Sequence, residues 1–230
     1  MNCCITILGR RRQGKSTLAL ALAAARSNSI LVLDVNAQYR SIPSSPLDEE
    51  YIHEAMADPE GCLLVFRPDS AQITEAWHTL AQALWEWEDY ALILDEASEF
   101  QSPAWRDEWL DRFLRQAPDS VSIIMTTHRV VDVAKLSRAL SSDLFLFQTR
   151  QESDLQLLTS EFPGLRADIV PTLPAYHVLH HWVDHGGIGK NNLWDKPGEW
   201  YVNIGDSARA STAGVRGSSA VRAEFSGITA

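Results

Sequence analysis

The chain has 230 residues, of which 45% are hydrophobic, and its formal net charge at pH 7 is -10. The length and the apolar share suit one large globular domain with an appendage, and they exclude a disordered or fibrous protein. The acidic balance excludes a general polyanion binder, because nucleic acids attract concentrated positive charge, so any contact with DNA must be local.

Neither the cysteines nor the hydrophobic segments indicate secretion or a membrane protein. Cys3 and Cys4 are adjacent in an apolar run, and with the third cysteine they form neither a disulfide framework nor a zinc-binding spacing, which favours a reducing cytoplasm. The N-terminal apolar run leads directly into a glycine-containing loop, so we do not interpret it as a signal peptide. No stretch is long enough to span a bilayer, and we expect no membrane span.

Short runs of β-branched residues and leucine are predicted as buried parallel strands, because they are apolar on both faces. They lie at residues 3–8, 30–34, 62–67, 91–95, 121–126 and 144–148. Helical patterns separate them: residues 15–26 are rich in alanine and leucine, and two apolar stripes at helical spacing follow later. The first stripe is Ile73, Trp77, Leu80, Leu84 and Trp87, and the second is Trp105, Trp109, Leu110, Phe113 and Leu114. This alternation predicts an α/β fold, with a mostly parallel central sheet flanked by helices and a ligand at the carboxyl ends of the strands.

The pattern changes beyond Pro163, where prolines punctuate the chain and only residues 177–183 and 200–204 still have the character of strands. From Ser207 onward the sequence is rich in serine, alanine and glycine, which is typical of a flexible arm. We therefore predict a core at residues 1–162, a small C-terminal appendage packed on it at 163–206, and a C-terminal arm at 207–230.

The first candidate site is the loop after the first predicted strand, which matches the P-loop or Walker A motif G-x-x-x-x-G-K-[ST] between a strand and a helix. The two glycines allow backbone N–H groups to surround phosphate oxygens, and the helix N-terminus adds partial positive charge. Lys15 is expected to reach the β- and γ-phosphates, and the Ser16 hydroxyl to bind Mg²⁺. The predicted ATP-binding residues are Gly9, Arg10, Arg11, Arg12, Gln13, Gly14, Lys15, Ser16 and Thr17. The three arginines could instead contact a neighbouring subunit or DNA, and the sequence leaves this open.

The second candidate site is the acidic pair that ends the strand ALILDEASEF. Asp95 is expected to hold Mg²⁺, directly or through water. Glu96 is then placed to orient and deprotonate the attacking water, which is the role of a general base. Without the P-loop, such a pair would more often be a solvated strand end.

The strand VSIIMTTHR ends in polar residues that could sense the γ-phosphate or the attacking water, namely Thr127 and His128. His128 could instead cap a helix. Phosphoryl transfer also benefits from an arginine supplied by a neighbouring subunit. The first candidate for that arginine is Arg115, on the predicted helix before this strand, followed by Arg112, Arg129 and Arg138.

Four histidines near the C-terminus, His177, His180, His181 and His185, raise the question of a metal site. In a strand, His177 and His180 point to opposite faces, and no cysteine or carboxylate cluster completes a tetrahedral set. We therefore interpret these histidines as structural.

With these motifs in place, residues 1–158 resemble the HerA/FtsK superfamily of P-loop translocases, and especially the small genome-packaging ATPases of tailless, membrane-containing double-stranded DNA viruses. The resemblance is carried by ITILGRRRQGKST, ILVLDVNAQY, CLLVFRP, ALILDEASEF and the block SIIMTTHRVVDVAKLSRALSSDLFLFQTRQESDLQLL. His128 and Val130 stand where that superfamily often has glutamine and proline. The resemblance implies a RecA-like (ASCE) P-loop NTPase fold, a homo-oligomeric ring with a hexamer among the options, and double-stranded DNA as substrate.

The leading hypothesis from the sequence is an ATPase motor subunit that uses Mg-ATP to package a viral genome, with capsid or portal vertex proteins as partners. Its location would be the host cytoplasm or the packaging vertex of the virion. The expected DNA-contacting residues are Arg129, Lys135 and Arg138 or the run Arg10 to Arg12. Two alternatives remain open at this stage: a cellular or prophage translocase of the HerA/FtsK type, and a phage assembly adaptor whose partner binding is switched by nucleotide.

Overall fold

A computed structural model describes residues 3–183 and 199–203. Its strands are β1 (Cys3–Leu8), β2 (Ser29–Leu33), β3 (Leu63–Phe66), β4 (Tyr90–Leu94), β5 (Gln101–Ser102), β6 (Trp105–Arg106), β7 (Ser122–Thr127), β8 (Asp143–Leu146), β9 (His177–Trp182) and β10 (Glu199–Asn203). Its helices are α1 (Lys15–Arg26), α2 (Glu49–Met56), α3 (Ile73–Leu84), α4 (Glu108–Gln116), α5 (Lys135–Leu140) and α6 (Glu152–Glu161). The predicted strands agree with the observed ones to within a residue or two. The predicted arm at 207–230 and His185 lie outside the described residues.

The described residues form one main sheet with the strand order β10-β9-β8-β1-β7-β4-β2-β3. The six consecutive strands from β8 to β3 run parallel to one another. Strand β9 runs antiparallel to both β8 and β10. The mostly parallel α/β architecture predicted from the sequence is therefore confirmed. Because the parallel strands end at one edge, the loops after β1, β2, β4 and β7 meet there.

Two apolar cores cover the two faces of this sheet, and alternate residues of one strand contribute to different cores. Leu31 and Leu33 of β2 belong to the core that packs against α2, α3 and α4. Ile30 and Val32 belong to the core beneath α1, a helix whose alanine and leucine content favours helix formation. A strand buried on both faces loses the alternation of polar and apolar residues, which explains the continuous apolar runs in the sequence.

A third apolar cluster lies around β8 and β9. Leu144 and Leu146 of β8 pack there with Phe162, Leu165 and Val170, so residues on either side of position 163 share one cluster. The predicted division of the chain at residue 163 stays a prediction.

The helix predicted to include Trp105 begins later than expected, at Glu108. Trp105 instead pairs with Ser102 in the short β5–β6 hairpin, and it is half exposed. The reason is Asp107, whose carboxylate accepts hydrogen bonds from the N–H groups of Trp109 and Leu110 and so caps α4.

Within the part of the chain that the structure describes, no helix combines the length and the apolar character needed to cross a bilayer.

Candidate active site

A cavity of about 350 Å³ opens at the carboxyl edge of the parallel strands. The predicted site residues that line it are Arg11, Arg12, Gly14, Lys15, Ser16, Thr17, Asp95, Glu96 and His128. Asn36, Gln38 and Tyr176 complete its lining. The fold thus brings the residues after β1, β4 and β7 to one place, as their positions at strand ends require.

The backbone of the P-loop depends on its two glycines for different reasons. Gly14 has a φ of 98°, in the left-handed region, where it caps the N-terminus of α1. Gly9 has no room for a side chain, because a Cβ there would lie 2.5 Å from the Cβ of Phe147 and 2.7 Å from the Gln13 amide oxygen. That oxygen accepts a hydrogen bond of 2.7 Å from the Arg10 N–H and so closes the loop. The loop thus has the tight turn before a helix that is typical of anion-binding P-loops.

Lys15 is buried, and its ammonium group is held against the loop that precedes it. Nζ donates to the carbonyl oxygens of Gly9 at 2.8 Å and of Arg10 at 3.2 Å. Burial lowers the pKa of Lys15 to about 8, although the nearby carboxylates of Glu96 and Asp95 oppose this shift. A group in this position can contribute a positive charge and several hydrogen bonds to bound phosphates.

Asp95 has one carboxylate oxygen that its neighbours leave unpaired. Oδ1 accepts a hydrogen bond of 3.0 Å from Thr126 Oγ1, whereas Oδ2 is buried and has no hydrogen-bond partner. Burial raises the pKa of Asp95 to about 6, with the Thr126 hydrogen bond acting in the opposite direction. Ser16 lines the same cavity, so a carboxylate oxygen and a hydroxyl fit the oxygen ligands that Mg²⁺ prefers. Among the described residues no group of three or more His, Cys, Asp or Glu could hold a metal.

Glu96 has an unusual backbone conformation, and its carboxylate contacts side chains on both oxygens. Its φ of 61° and ψ of 75° are left-handed, a region that residues with a side chain rarely adopt and that recurs at functional sites. Oε1 accepts a hydrogen bond of 2.8 Å from Ser98 Oγ, and Thr127 Oγ1 lies 3.5 Å from the same oxygen. The other oxygen, Oε2, lies 3.2 Å from Nε2 of His128.

The ring of His128 connects Glu96 to Lys15. Nδ1 lies 3.0 Å from Lys15 Nζ, and Nε2 faces Glu96. Nδ1 faces both the ammonium group of Lys15, which donates, and the carbonyl oxygen of Gly9 at 3.1 Å, which accepts. The structure therefore joins the predicted base, sensor and P-loop lysine in one hydrogen-bonded chain. The roles assigned to these three residues stay predictions.

The candidate arginines lie outside this chain of contacts. Arg115 is on α4, is half exposed, and forms an ion pair of 3.0 Å with Asp111 one turn earlier. The guanidinium of Arg112 lies 4.3 Å and 4.6 Å from the ring centroids of Trp85 and Trp109. None of these side chains is part of the cavity lining.

Arg138, a further candidate, is engaged within its own chain. Its side chain is buried, donates to both carboxylate oxygens of Glu161 at 2.6 Å and 2.8 Å, and donates to the carbonyl of Val133. A guanidinium that is buried and fully engaged within its own chain cannot also reach DNA or a neighbouring nucleotide without breaking these bonds. Arg129 remains half exposed, with a hydrogen bond of 2.7 Å to Ser153.

The three described histidines of the C-terminal group have local partners. His180 is buried, lies 2.8 Å from Asp143 and stacks on Phe145 with the ring centroids 4.4 Å apart. His181 packs edge-on against Phe162, and His177 donates from Nδ1 to the carbonyl of Ala175 at 3.1 Å. The interpretation of these histidines as structural stays a prediction.

The loop after β2 carries Asn36 and Gln38 to the cavity, although the sequence motifs give these two residues no role. Asp34 anchors this loop: it accepts hydrogen bonds from the N–H groups of Gln38 and Tyr39, and its carboxylate pairs with Arg67 at 2.9 Å. Arg67 also donates to the carbonyl of Tyr39 at 2.5 Å. The signal in the sequence was an aspartate directly after a buried strand, in the same position as Asp95.

Tyr39 is a further polar group beside the acidic residues. Its hydroxyl is buried beside the Ser16 side chain. Burial, followed by the charges of Asp95 and Asp34, raises the pKa of this hydroxyl well above its usual value, against a weak lowering by Ser16, so it remains a neutral donor.

Comparisons with known proteins give relatives in structure alone, since no family model and no curated protein matches the chain. The genome packaging NTPase B204 from Sulfolobus turreted icosahedral virus 2, in complex with ATP-gammaS, is 20% identical to this chain, with a TM-score of 0.65 over 80% of this chain and 93% of that chain. B204, the DNA-packaging ATPase from Sulfolobus Turreted Icosahedral Virus, is 21% identical, with a TM-score of 0.61 over 80% of this chain and 94% of that chain. VirB4 of Thermoanaerobacter pseudethanolicus is 14% identical, with a TM-score of 0.54 over 81% of this chain and 88% of that chain.

At these identities the likeness shows the fold. The chain has the RecA-like P-loop NTPase fold, with a mostly parallel sheet and the P-loop after its central strand β1. The structural neighbours agree with the fold that the resemblance in sequence implies.

Proposed function

We propose that this chain binds Mg-ATP, hydrolyses it to ADP and phosphate, and uses the reaction to move double-stranded DNA into a viral capsid. The observation that carries the ATPase proposal is the single cavity that brings the P-loop together with Asp95, Glu96 and His128. A chance glycine turn before a helix would not place a buried acidic pair from the end of β4 and a histidine from the end of β7 beside the lysine of the loop.

The phosphates of ATP would lie against the P-loop. The N–H groups of the loop and the N-terminus of α1 offer donors and partial positive charge, and the ammonium group of Lys15 adds a full charge. Ser16 and the unpaired Oδ2 of Asp95 would hold Mg²⁺. When bound, the ion neutralises negative charge on the phosphates during transfer.

Glu96 would act on the attacking water. As the water oxygen forms its bond to the γ-phosphorus, the bond from that phosphorus to the bridging oxygen of ADP breaks, and the proton of the water passes to the Glu96 carboxylate. Its hydrogen bonds to Ser98 and His128 fix the carboxylate in one orientation. A general base must be oriented in this way because proton transfer requires hydrogen-bond distance.

Two substitutions test the ATPase proposal. Lys15→Ala should abolish ATP binding, because it removes a phosphate contact, whereas Glu96→Gln should keep binding and lower turnover by roughly 10²- to 10⁴-fold, because it removes the base. Calorimetric binding and phosphate release would measure the two effects. Glu99→Gln is the matched control, since Glu99 is exposed in the same turn and should be neutral. Full turnover by Glu96→Gln would exclude the proposed base.

The proposal of a DNA motor is supported by the sequence resemblance and by the packaging ATPases among the structural neighbours. It also implies a ring of identical subunits and capsid or portal proteins as partners. Because the chain is acidic overall, DNA would meet a restricted basic surface. The remaining candidates for it are the exposed side chains of Arg10, Arg11, Arg12 and Lys135 together with Arg129.

Double-stranded DNA should therefore stimulate ATP hydrolysis by an assembled sample. Few phosphates are contacted per subunit, so one subunit should bind weakly, while a ring binds more tightly and loses affinity steeply with salt. The preference for particular DNA sequences should be slight, because a motor that moves along DNA must bind every sequence it passes and so cannot depend on contacts to base edges. ATPase rates against added duplex at low and moderate salt, with and without capsid or portal components, provide the test. If neither DNA nor these components changes the rate, while ATP changes binding to another protein, the adaptor function replaces the motor.

A further inference from the structure

Tyr176 reaches the proposed nucleotide cavity from a part of the chain to which the sequence motifs assign no chemistry. It directly precedes β9, which runs antiparallel to β8 with Leu179 opposite Leu146. The start of β9 therefore lies at the edge where β8 and the other parallel strands end. Tyr176 accordingly lines the same cavity as Lys15 and Ser16.

Tyr176 occupies the third position of a four-residue turn that begins at Pro174. Its φ of 61° is left-handed, which is sterically unfavourable for a residue with a Cβ, and its side chain is 41% exposed. Two hydrogen bonds hold the turn, from the His177 N–H to the carbonyl of Pro174 at 3.2 Å and from His177 Nδ1 to the carbonyl of Ala175 at 3.1 Å. An exposed aromatic ring held in an unfavourable backbone conformation beside a cavity is a candidate for ligand contact.

The order of the strands indicates how a bound nucleotide would be oriented in the cavity. The P-loop follows β1 in the middle of the sheet, His128 and the acidic pair follow β7 and β4 on one side, and Tyr176 precedes β9 on the other side. Adjacent strands are about 4.8 Å apart, and β9 and β4 each lie two strands away from β1. The strand ends next to Tyr176 and to the acidic pair are therefore each about 10 Å from the end of β1, on opposite sides. If the terminal phosphate lies at Glu96, as the proposed function requires, the nucleoside end of the ligand points toward Tyr176.

We infer that the ring of Tyr176 stacks on the base of the bound nucleotide. This inference rests on the proposed function and adds the residue that contacts the base. Aromatic rings stack on nucleobases through their faces, and this interaction tolerates any base because every base has such a face. Tyr176 should therefore contribute affinity for nucleoside triphosphates without selecting between adenine and guanine.

The test compares ligands with and without a base. Dissociation constants are measured by calorimetry for the Mg²⁺ complexes of a β,γ-methylene analogue of ATP, the matching analogue of GTP, and inorganic tripolyphosphate. Tyr176→Ala should weaken both nucleotide analogues by about 10-fold or more and leave tripolyphosphate unchanged, whereas Tyr176→Phe should bind as the wild type does. Tyr176→Asn provides a second variant, because asparagine tolerates the left-handed conformation that the loop needs. Tyr51→Ala is the control, since Tyr51 is similarly exposed on α2.

The possible outcomes separate this inference from the proposed function. If Tyr176→Ala and Tyr176→Asn weaken tripolyphosphate as much as the nucleotides, the residue shapes the phosphate site and the stacking assignment is wrong. If the wild type binds all three ligands and neither variant changes any dissociation constant, the inference fails alone. If the wild type binds none of them, or Lys15→Ala binds them equally well, the proposed function fails and takes the inference with it.

Discussion

His128 links the two charged side chains on which the proposed chemistry depends. Its Nε2 lies 3.2 Å from Glu96 Oε2, and its Nδ1 lies 3.0 Å from Lys15 Nζ. Without the ring, Glu96 would keep its hydrogen bond from Ser98 on the other oxygen, but Oε2 would lose its side-chain partner. The carboxylate could then rotate away from the position in which it accepts a proton.

We therefore predict that His128→Ala lowers kcat on the order of 10²-fold, the scale seen when one hydrogen bond that orients a reacting group is lost. The Kd for ATP should change far less, because the P-loop contacts remain. Phosphate-release kinetics and calorimetry measure the two quantities. His53→Ala serves as control, since His53 is exposed on α2 and contacts the carbonyl of Ala83. An unchanged kcat in His128→Ala would remove His128 from the mechanism.

At the scale of residues, the sequence predicts the P-loop and the acidic pair because each is a short motif at the end of one strand. The contact between Glu96 and His128 could be expected only in outline, since it depends on β4 and β7 being neighbours. Tyr176 could not be predicted at all. Its place at the cavity follows from the antiparallel addition of β9, which joins residues distant in sequence, and no motif marks it.

At the scale of elements, a buried polar pair joins β8 to β9. His180 Nε2 lies 2.8 Å from Asp143 Oδ1, and Ser142 donates to Oδ2 of the same carboxylate at 2.8 Å. Burial alone would raise the pKa of Asp143, but the hydrogen bond and charge of His180, with the help of Ser142 and Arg26, lower it overall. The pair fixes the strand that brings Tyr176 to the cavity.

This pair predicts a dependence of stability on pH. Because the folded pKa of Asp143 lies below its unfolded value, its ionised carboxylate stabilises the fold above about pH 4, and this contribution is lost as the pH falls through the folded pKa. Asp143→Asn should lower the free energy of unfolding by about 1–3 kcal/mol at pH 7, since it weakens a buried hydrogen-bonded group. Denaturant unfolding at pH 7 and at pH 3 should show this difference shrinking at the lower pH.

The control for this experiment is Asp168→Asn. Asp168 is exposed and paired with Arg166, and an exposed pair contributes little to stability. A difference between wild type and Asp143→Asn that stays constant from pH 7 to pH 3 would show that the charge of Asp143 plays no part.

The elements that could be predicted are those whose pattern is local. Strands buried on both faces leave continuous apolar runs, and α1 has a strong alanine and leucine signal. Helix α2 was not predicted, because its apolar face is short: only Ile52 and Met56 are buried. Its start does carry helix signals, since Asp48 caps it and Glu49 and Glu50 occupy its first turn. Trp105 was placed in a helix because its spacing fits the stripe of α4, and the cap at Asp107 overrides that spacing.

At the scale of the whole molecule, the arrangement of Arg115 raises the question of how the cavity obtains an arginine for phosphoryl transfer. Arg115 lies on α4, which packs on the face of the sheet covered by α3, and its partner within the chain is Asp111. It does not line the cavity of its own chain. If Arg115 assists hydrolysis, it must therefore do so at the cavity of a neighbouring subunit in the proposed ring.

Mixing two inactive variants tests this arrangement. Arg115→Ala alone should lower turnover on the order of 10³-fold, the scale of an arginine that acts in trans, and Lys15→Ala alone should not bind ATP. In a mixed ring, an Arg115→Ala subunit offers an intact cavity and a Lys15→Ala neighbour offers an intact arginine, so ATPase activity should reappear at those interfaces. Mixing Arg166→Ala with Lys15→Ala is the control, since Arg166 is an exposed arginine paired with Asp168 and its variant should be active before mixing. Normal turnover by Arg115→Ala alone, with no gain on mixing, would assign the role to another residue. Recovery on mixing would also require that subunits meet, because neither variant chain carries both Lys15 and Arg115.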